Sequence, residues 1–189
     1  MIYPIYVYGS TVLRKKAGEI TKEYPGLKQL IQDMFETMHA SDGVGLACPQ
    51  LGFPIRLIVV DGTQVEKNNA RPEEDLSMFK FAIINPKITE IWGENWNYNE
   101  GCLSIPTLHE DVARPESVRI EYYDENFVFH NEEFSGIKSR IIQHEYDHLE
   151  GILFIDRINP LRKRLINGKL NAISKGRVDI DYKIKISKK

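Results

Sequence analysis

Ser135-Gly136-Ile137-Lys138-Ser139-Arg140-Ile141-Ile142-Gln143-His144-Glu145-Tyr146-Asp147-His148-Leu149-Glu150-Gly151 carries the strongest periodic signal in the chain. Ile137, Ile141, His144, His148 and Leu149 fall near one stripe at helical spacing, Ser135 can cap the start and Gly151 suits the stop, so the spacing predicts a helix. Residues four apart on a helix lie one turn above each other, so the imidazoles of His144 and His148 can bind one ion. Glu145 sits one position on, within reach of a water on that ion but not itself a ligand. Two nitrogen ligands and a nearby base are what a hydrolytic metal site needs.

Upstream of this helix the period falls to two. Ser117 to Tyr123 and Phe127 to Phe134 alternate around Asp124-Glu125-Asn126, which predicts a β-hairpin. Phe81 to Trp92 is strand-like with a break at Asn85-Pro86, and the Asn-, Glu-, Lys- and Asp-rich run Asp61 to Lys80 reads as a solvated excursion without chemistry. Arg56 to Val60 has the apolar, β-branched look of a buried strand, and Gly43 to Gln50, with two glycines and Pro49, reads as an irregular loop. Tyr24 to Ala40 places Leu27, Leu30, Ile31, Met34 and Met38 at helical intervals and stops at Ser41-Asp42-Gly43. A last helix is expected from about Leu161 to Ser174, and the alternating tail after Gly176 suits an edge strand or a loose end. The mixture predicts an α+β fold: antiparallel β-sheets packed around a central helix carrying the His-Glu-x-x-His motif, with an N-terminal helix and a C-terminal helix.

The 189 residues, 42% hydrophobic and 28% charged, fit one catalytic domain over 1–189. Lys and Arg total 25 against 27 Asp and Glu, and a formal charge of -2 argues against a general nucleic-acid binder. The N-terminus lacks the pattern of a signal peptide and no run approaches a membrane span, which predicts a cytoplasmic protein with no membrane association. In a reducing cytosol Cys48 and Cys102 are a ligand, a nucleophile or core filler rather than a disulfide.

Residue frequencies alone would produce His-Glu-x-x-His in about one such chain in a hundred, so a third ligand is needed to support the metal reading. A metzincin would place its third His where this chain has Phe154, which cannot bind metal. A thermolysin-like site needs a Glu in the following helix, yet Asn159 to Leu170 contains no acidic residue. The remaining soft donor is Cys102 in Glu100-Gly101-Cys102-Leu103-Ser104, whose thiolate could complete a Cys-His-His site. The Pro-Cys-x-x-Cys element of nucleobase deaminases is missing.

Three segments, in order, resemble the signatures of peptide deformylases: Gly43-Val44-Gly45-Leu46-Ala47-Cys48-Pro49-Gln50, Glu100-Gly101-Cys102-Leu103-Ser104, and Gln143 to Gly151. Ile105-Pro106, Val112-Ala113-Arg114-Pro115 and Ile152 to Arg157 look like the family as well, so the likeness covers most of Tyr3 to Arg157. Cys48 stands where the family usually has Ala and is expected to pack near the site.

The resemblance implies removal of the formyl group from the N-terminal methionine of new polypeptides, with Cys102, His144 and His148 as ligands of one divalent ion. A metal-bound water would attack the formyl carbon while Glu145 accepts its proton and passes it to the departing amine. It implies the amide of Gln50 and the N–H of Leu103 as oxyanion donors, Gly45 as a backbone contact to substrate, a methionine slot built from Val44, Ile137 and Ile141 with Arg140 nearby, and Gly43 and Glu100 as further substrate-binding residues. Gly43 and Gly45 could instead only make the turn. Glu100 and Arg114 are expected to pair and hold the cysteine segment. Fe(2+) is the ion the family suggests, although thiolate and imidazole suit Zn(2+) equally. The implied partner is an N-formyl-methionyl peptide, and the family's cotranslational role suggests transient ribosome contact by the basic C-terminal region. The rivals are a metallohydrolase acting on another amide, such as an aminopeptidase, an inactive relative of the deformylases, and a binding module with a closed structural metal site.

Overall fold

The computed structural model describes residues 1–65 and 74–186, and the fold is α+β. Strand β3 (Leu57–Asp61) is buried at every position, which explains a continuous apolar run without alternation. Its Leu57 and Val59 pack with Leu30, Ile31, Met34 and Met38 of helix α1 (Leu27–Ala40), while Ile58 and Val60 meet Ile137, Ile141 and Ile142 of helix α2 (Gly136–Leu149). At about 1.5 to 3 kcal/mol for each fully buried large side chain, these two interfaces fix α2 against the sheet.

The main sheet is antiparallel and runs in the order β2 (Gly45–Ala47), β3, β4 (Lys80–Cys102), β5 (Ile105–Tyr123), β6 (Phe129–Ser135). The expected loop at Gly43 to Gln50 is therefore partly a strand: Gly45 pairs with Val60 and Ala47 with Ile58, followed by a 3₁₀ turn over Cys48–Leu51. The run is too short and too evenly buried to show a period. The predicted hairpin is present as β5 and β6. The predicted strand at Phe81 continues past the Asn85-Pro86 break through a bulge, where Asn85 adopts φ 50 and holds Ile20 through both its amide atoms.

Ser135 precedes α2 as expected but does not cap it, its hydroxyl pairing instead with Ser117. The Ile137 N–H is satisfied by Glu74 at 2.8 Å. Glu74 lies in the run read as a solvated excursion, whose residues 66–73 lie outside the described residues, and Leu76 and Phe79 of the same run are buried. The single helix expected over Leu161 to Ser174 is two, α3 (Pro160–Leu165) and α4 (Asn167–Ser174), parted at Ile166. The tail forms β7 (Ile184–Lys185), which pairs in parallel with β1 (Ile5–Tyr6), so the second sheet is not antiparallel. Among the described residues no helix is long and apolar enough to cross a membrane.

Candidate metal centre and its cavity

Cys102 ends β4 at a register shift between Gly101 and Cys102, and such a bulge re-aims a side chain. Its thiol faces α2, 3.2 Å from His148 Nε2. The ligand atoms of Cys102, His144 and His148 all lie within 4.8 Å of one another. Gln50, on the 3₁₀ turn after β2, approaches from the other side: its Oε1 accepts the Ala47 N–H at 2.8 Å, which directs its Nε2 to Ser104 Oγ at 3.1 Å and Cys102 Sγ at 3.7 Å.

Behind these groups Glu100 gathers two guanidinium groups and one imidazole in a buried setting. It accepts Arg114 Nε at 2.7 Å and Nη2 at 2.9 Å, Arg140 Nη1 at 3.0 Å, and meets His144 Nδ1 at 2.9 Å. That last contact leaves His144 Nε2 for an ion, in the carboxylate–histidine arrangement that orients a ligand. Arg114 also reaches Asp147 at 2.6 Å, so one guanidinium joins the cysteine strand to the helix bearing both histidines. Burial alone would raise the Glu100 carboxyl, but the bonds from His144 and Arg114 outweigh it and hold it well below the usual carboxylate range. Glu100 and Arg114 are 4% and 1% exposed, so the small value of an exposed ion pair does not apply to them.

Glu145 is buried, and its Oε2 has no hydrogen-bond partner among the described residues. Burial raises its carboxyl to about 7, against the partial opposition of His144 and Arg114. A Cβ at Gly45 would sit 2.8 Å from Cγ and Cδ of Glu145 and nearer still to Oε1, and one at Gly43 would sit 2.8 Å from Leu103 Cδ1. Neither glycine has a positive φ. They are small because site residues press on them, not because the chain turns there.

These groups open onto a cavity of about 530 Å³ lined by Gly43, Val44, Gly45, Gln50, Glu100, Cys102, Leu103, Arg140, Ile141, His144 and Glu145. Ile137 is not in this lining and packs in the core. Arg140 borders the cavity with its donors turned inward, to Glu100, to Val112 O at 2.9 Å and to Trp96 O at 2.7 Å, over the Trp96 ring. Cys48 is fully buried with its sulfur 3.3 Å from that of Met34, a packing position. Ser104, Asp147 and Tyr182 were not singled out from the sequence. Tyr182 lines the cavity and donates to Leu103 O at 2.8 Å from a tail whose alternation says nothing of what it meets.

One thiolate and two imidazoles fit a divalent ion such as zinc or ferrous iron. Desolvation lowers the pKa of His144, yet its contacts with Cys102 and Glu100 outweigh this and raise it, whereas burial and the charge of His144 push His148 well below the ordinary imidazole range and keep it neutral, the form in which an imidazole binds metal.

The family model for polypeptide deformylase matches residues 2–164. A peptide deformylase of Flavobacterium johnsoniae is 50% identical over 190 residues, 99% of this chain and 97% of its own length. One of Christiangramia forsetii is 48% identical over 188 residues, 98% and 96%. Among solved structures, a plant peptide deformylase matches at TM-score 0.81 with 34% identity, covering 92% of this chain and 90% of its own. A peptide deformylase of Legionella pneumophila matches at TM-score 0.79 with 32% identity, covering 94% and 98%.

Proposed function

The chain belongs to the polypeptide deformylase family, whose members are hydrolases, and from that premise we propose a division of labour among its residues. The reaction is removal of the N-terminal formyl group from new polypeptides, giving formate and a free amine. Cys102, His144 and His148 hold one divalent ion, Fe(2+) natively, with Zn(2+) or another divalent ion able to replace it. When bound, that ion polarises the formyl carbonyl and makes water a better nucleophile near neutral pH.

Glu145 takes a proton from the water attacking the formyl carbon and returns one to the amine nitrogen as the C–N bond breaks. The observation that carries this role is a buried carboxylate, one oxygen unpartnered among the described residues, lining the same cavity as Cys102 and His144 and next in sequence to His144. A carboxyl raised to about 7 is suited to exchange a proton near neutral pH. Gln50 Nε2 and the Leu103 N–H receive the developing oxyanion.

The methionine side chain enters between Val44 and Ile141, with Gly43 keeping the entrance clear. Strand β2 ends the sheet, so its outer edge can pair with an extended formyl-methionyl peptide, and Gly45 lets that backbone approach. The setting is cytoplasmic. Brief ribosome contact by the basic residues of α3 is part of the same reading, supported by Arg162, Lys163 and Arg164 in its last turn.

A formate-release assay on a formyl-Met tripeptide, run beside metal analysis, tests the division of labour. Glu145→Ala should keep its ion and lose nearly all turnover, whereas Cys102→Ala should lose the ion. Robust turnover in the Glu145 variant removes the mechanism.

A further inference from the structure

Strands β4 and β5 are joined by only two residues, Leu103 and Ser104, because Cys102 pairs with Ile105. Two-residue hairpin loops normally use turns with a positive φ, supplied by Gly, Asn or Asp. Neither Leu103 nor Ser104 has a positive φ, so the local sequence does not favour this turn. Bonds from outside the hairpin hold it. The Ser104 carbonyl accepts the Tyr8 N–H at 2.8 Å, just beyond β1. The Leu103 carbonyl accepts the Tyr182 hydroxyl at 2.8 Å, just before β7. Because β1 and β7 pair with each other, through Ile5 N to Lys183 O at 2.9 Å and Val7 N to Lys185 O at 3.1 Å, they grip adjacent carbonyls of one turn together.

We infer that Tyr182 is a positioning residue for the reaction: through the Leu103 carbonyl it fixes the direction of the Leu103 N–H toward the formyl oxygen. This rests on the reading that the Leu103 N–H is an oxyanion donor. Preorganised donors act by already pointing where charge will develop, and freeing the carbonyl lets Leu103 rotate about its own bonds. Burial and the charge of Cys102 push the Tyr182 pKa up, so the phenol remains a donor at working pH. Since the charge exists only in the transition state, the effect belongs to kcat rather than KM.

Tyr182→Phe removes one oxygen and keeps the ring, and is assayed as the metal-loaded full chain beside Gln50→Ala. Its kcat should fall on the order of tenfold, a fraction of the ~10²–10³ that a lost donor costs, with KM held within about twofold. Bound metal should match the parent, and the thermal midpoint should fall by no more than about 4 °C, the cost of one hydrogen bond. If Tyr182→Phe keeps full kcat while Gln50→Ala loses it, the positioning role is gone and the oxyanion reading stands. If neither slows, the oxyanion reading is wrong and the inference falls with it. A Tyr182→Phe variant that sheds metal, or whose KM rises as its midpoint drops, shows the tail to be a structural strap only.

Discussion

At position 45 the chain has room for a hydrogen and nothing larger. Glycine there costs backbone entropy in a strand, and what opposes that cost is the Glu145 carboxyl packed against its α-carbon. Gly45→Ala should keep the fold, because φ is ordinary and β2 gains a better strand former, but it must push Glu145 aside. A misplacement of about 1 Å in a catalytic group costs on the order of 10²-fold, so kcat for formate release should drop by about that factor with little change in thermal midpoint. An unchanged kcat would mean that Glu145 is not held where the reaction needs it. Sequence pattern alone left these two glycines between turn formers and substrate contacts. Their neighbours, Glu145 and Leu103, lie 100 and 60 residues away in the chain, and local spacing carries no trace of them.

Helix α2 was legible because its stripe spans four turns and its histidines define the period. What surrounds it was not. Ser139, Arg140, Gln143 and Asp147 are buried, which a helix tolerates because each finds a partner. Arg114 supplies the main one, joining Glu100 of β4 to Asp147 of α2. Removing one member of a buried charge network strands the others, so Arg114→Met should destabilise the protein by about 3 to 5 kcal/mol in urea titration. It should also weaken metal binding by about 10- to 100-fold, the usual effect of losing a group that orients a ligand. Arg119→Met is the contrast: Arg119 meets Glu90 and Glu133 at the surface and should cost at most about 1 kcal/mol. Equal losses in the two variants would refute the bridging role of Arg114. Other elements blurred for local reasons. Strand β2 was too short for a period to show, and the C-terminal helix parts where Ile166 turns into the core just before Asn167-Gly168, two poor helix formers.

At the scale of the molecule, segments distant in the chain are tied together by contacts no periodicity announces. Besides the pairing of β1 with β7, Arg14 from the N-terminal 3₁₀ turn meets Asp156, which also holds Lys163 of α3 at 2.6 Å and accepts the Leu153 N–H at 2.9 Å. Partial burial would raise the Asp156 carboxyl, but Arg14, Lys163 and the Leu153 amide outweigh it and hold it at about 2. A free Asp titrates at ~3.9. The unfolded chain therefore binds the proton first as pH falls, so the contribution is complete above about pH 5 and is lost as pH falls toward about 2. Asp156→Asn should thus be less stable than the parent by a constant margin between pH 5 and 8. Both partners are partly exposed, so the margin should be modest, within about 1 kcal/mol, and smaller at high salt. Below about pH 4 it should narrow, as the parent loses what the variant never had. Protonation of the thiolate and imidazoles, and any release of metal with it, occurs in both proteins and cancels in the difference. Parallel thermal unfolding of the two proteins across that range checks this, and a margin that widens in acid would show that Asp156 is not the carboxylate tying these segments together.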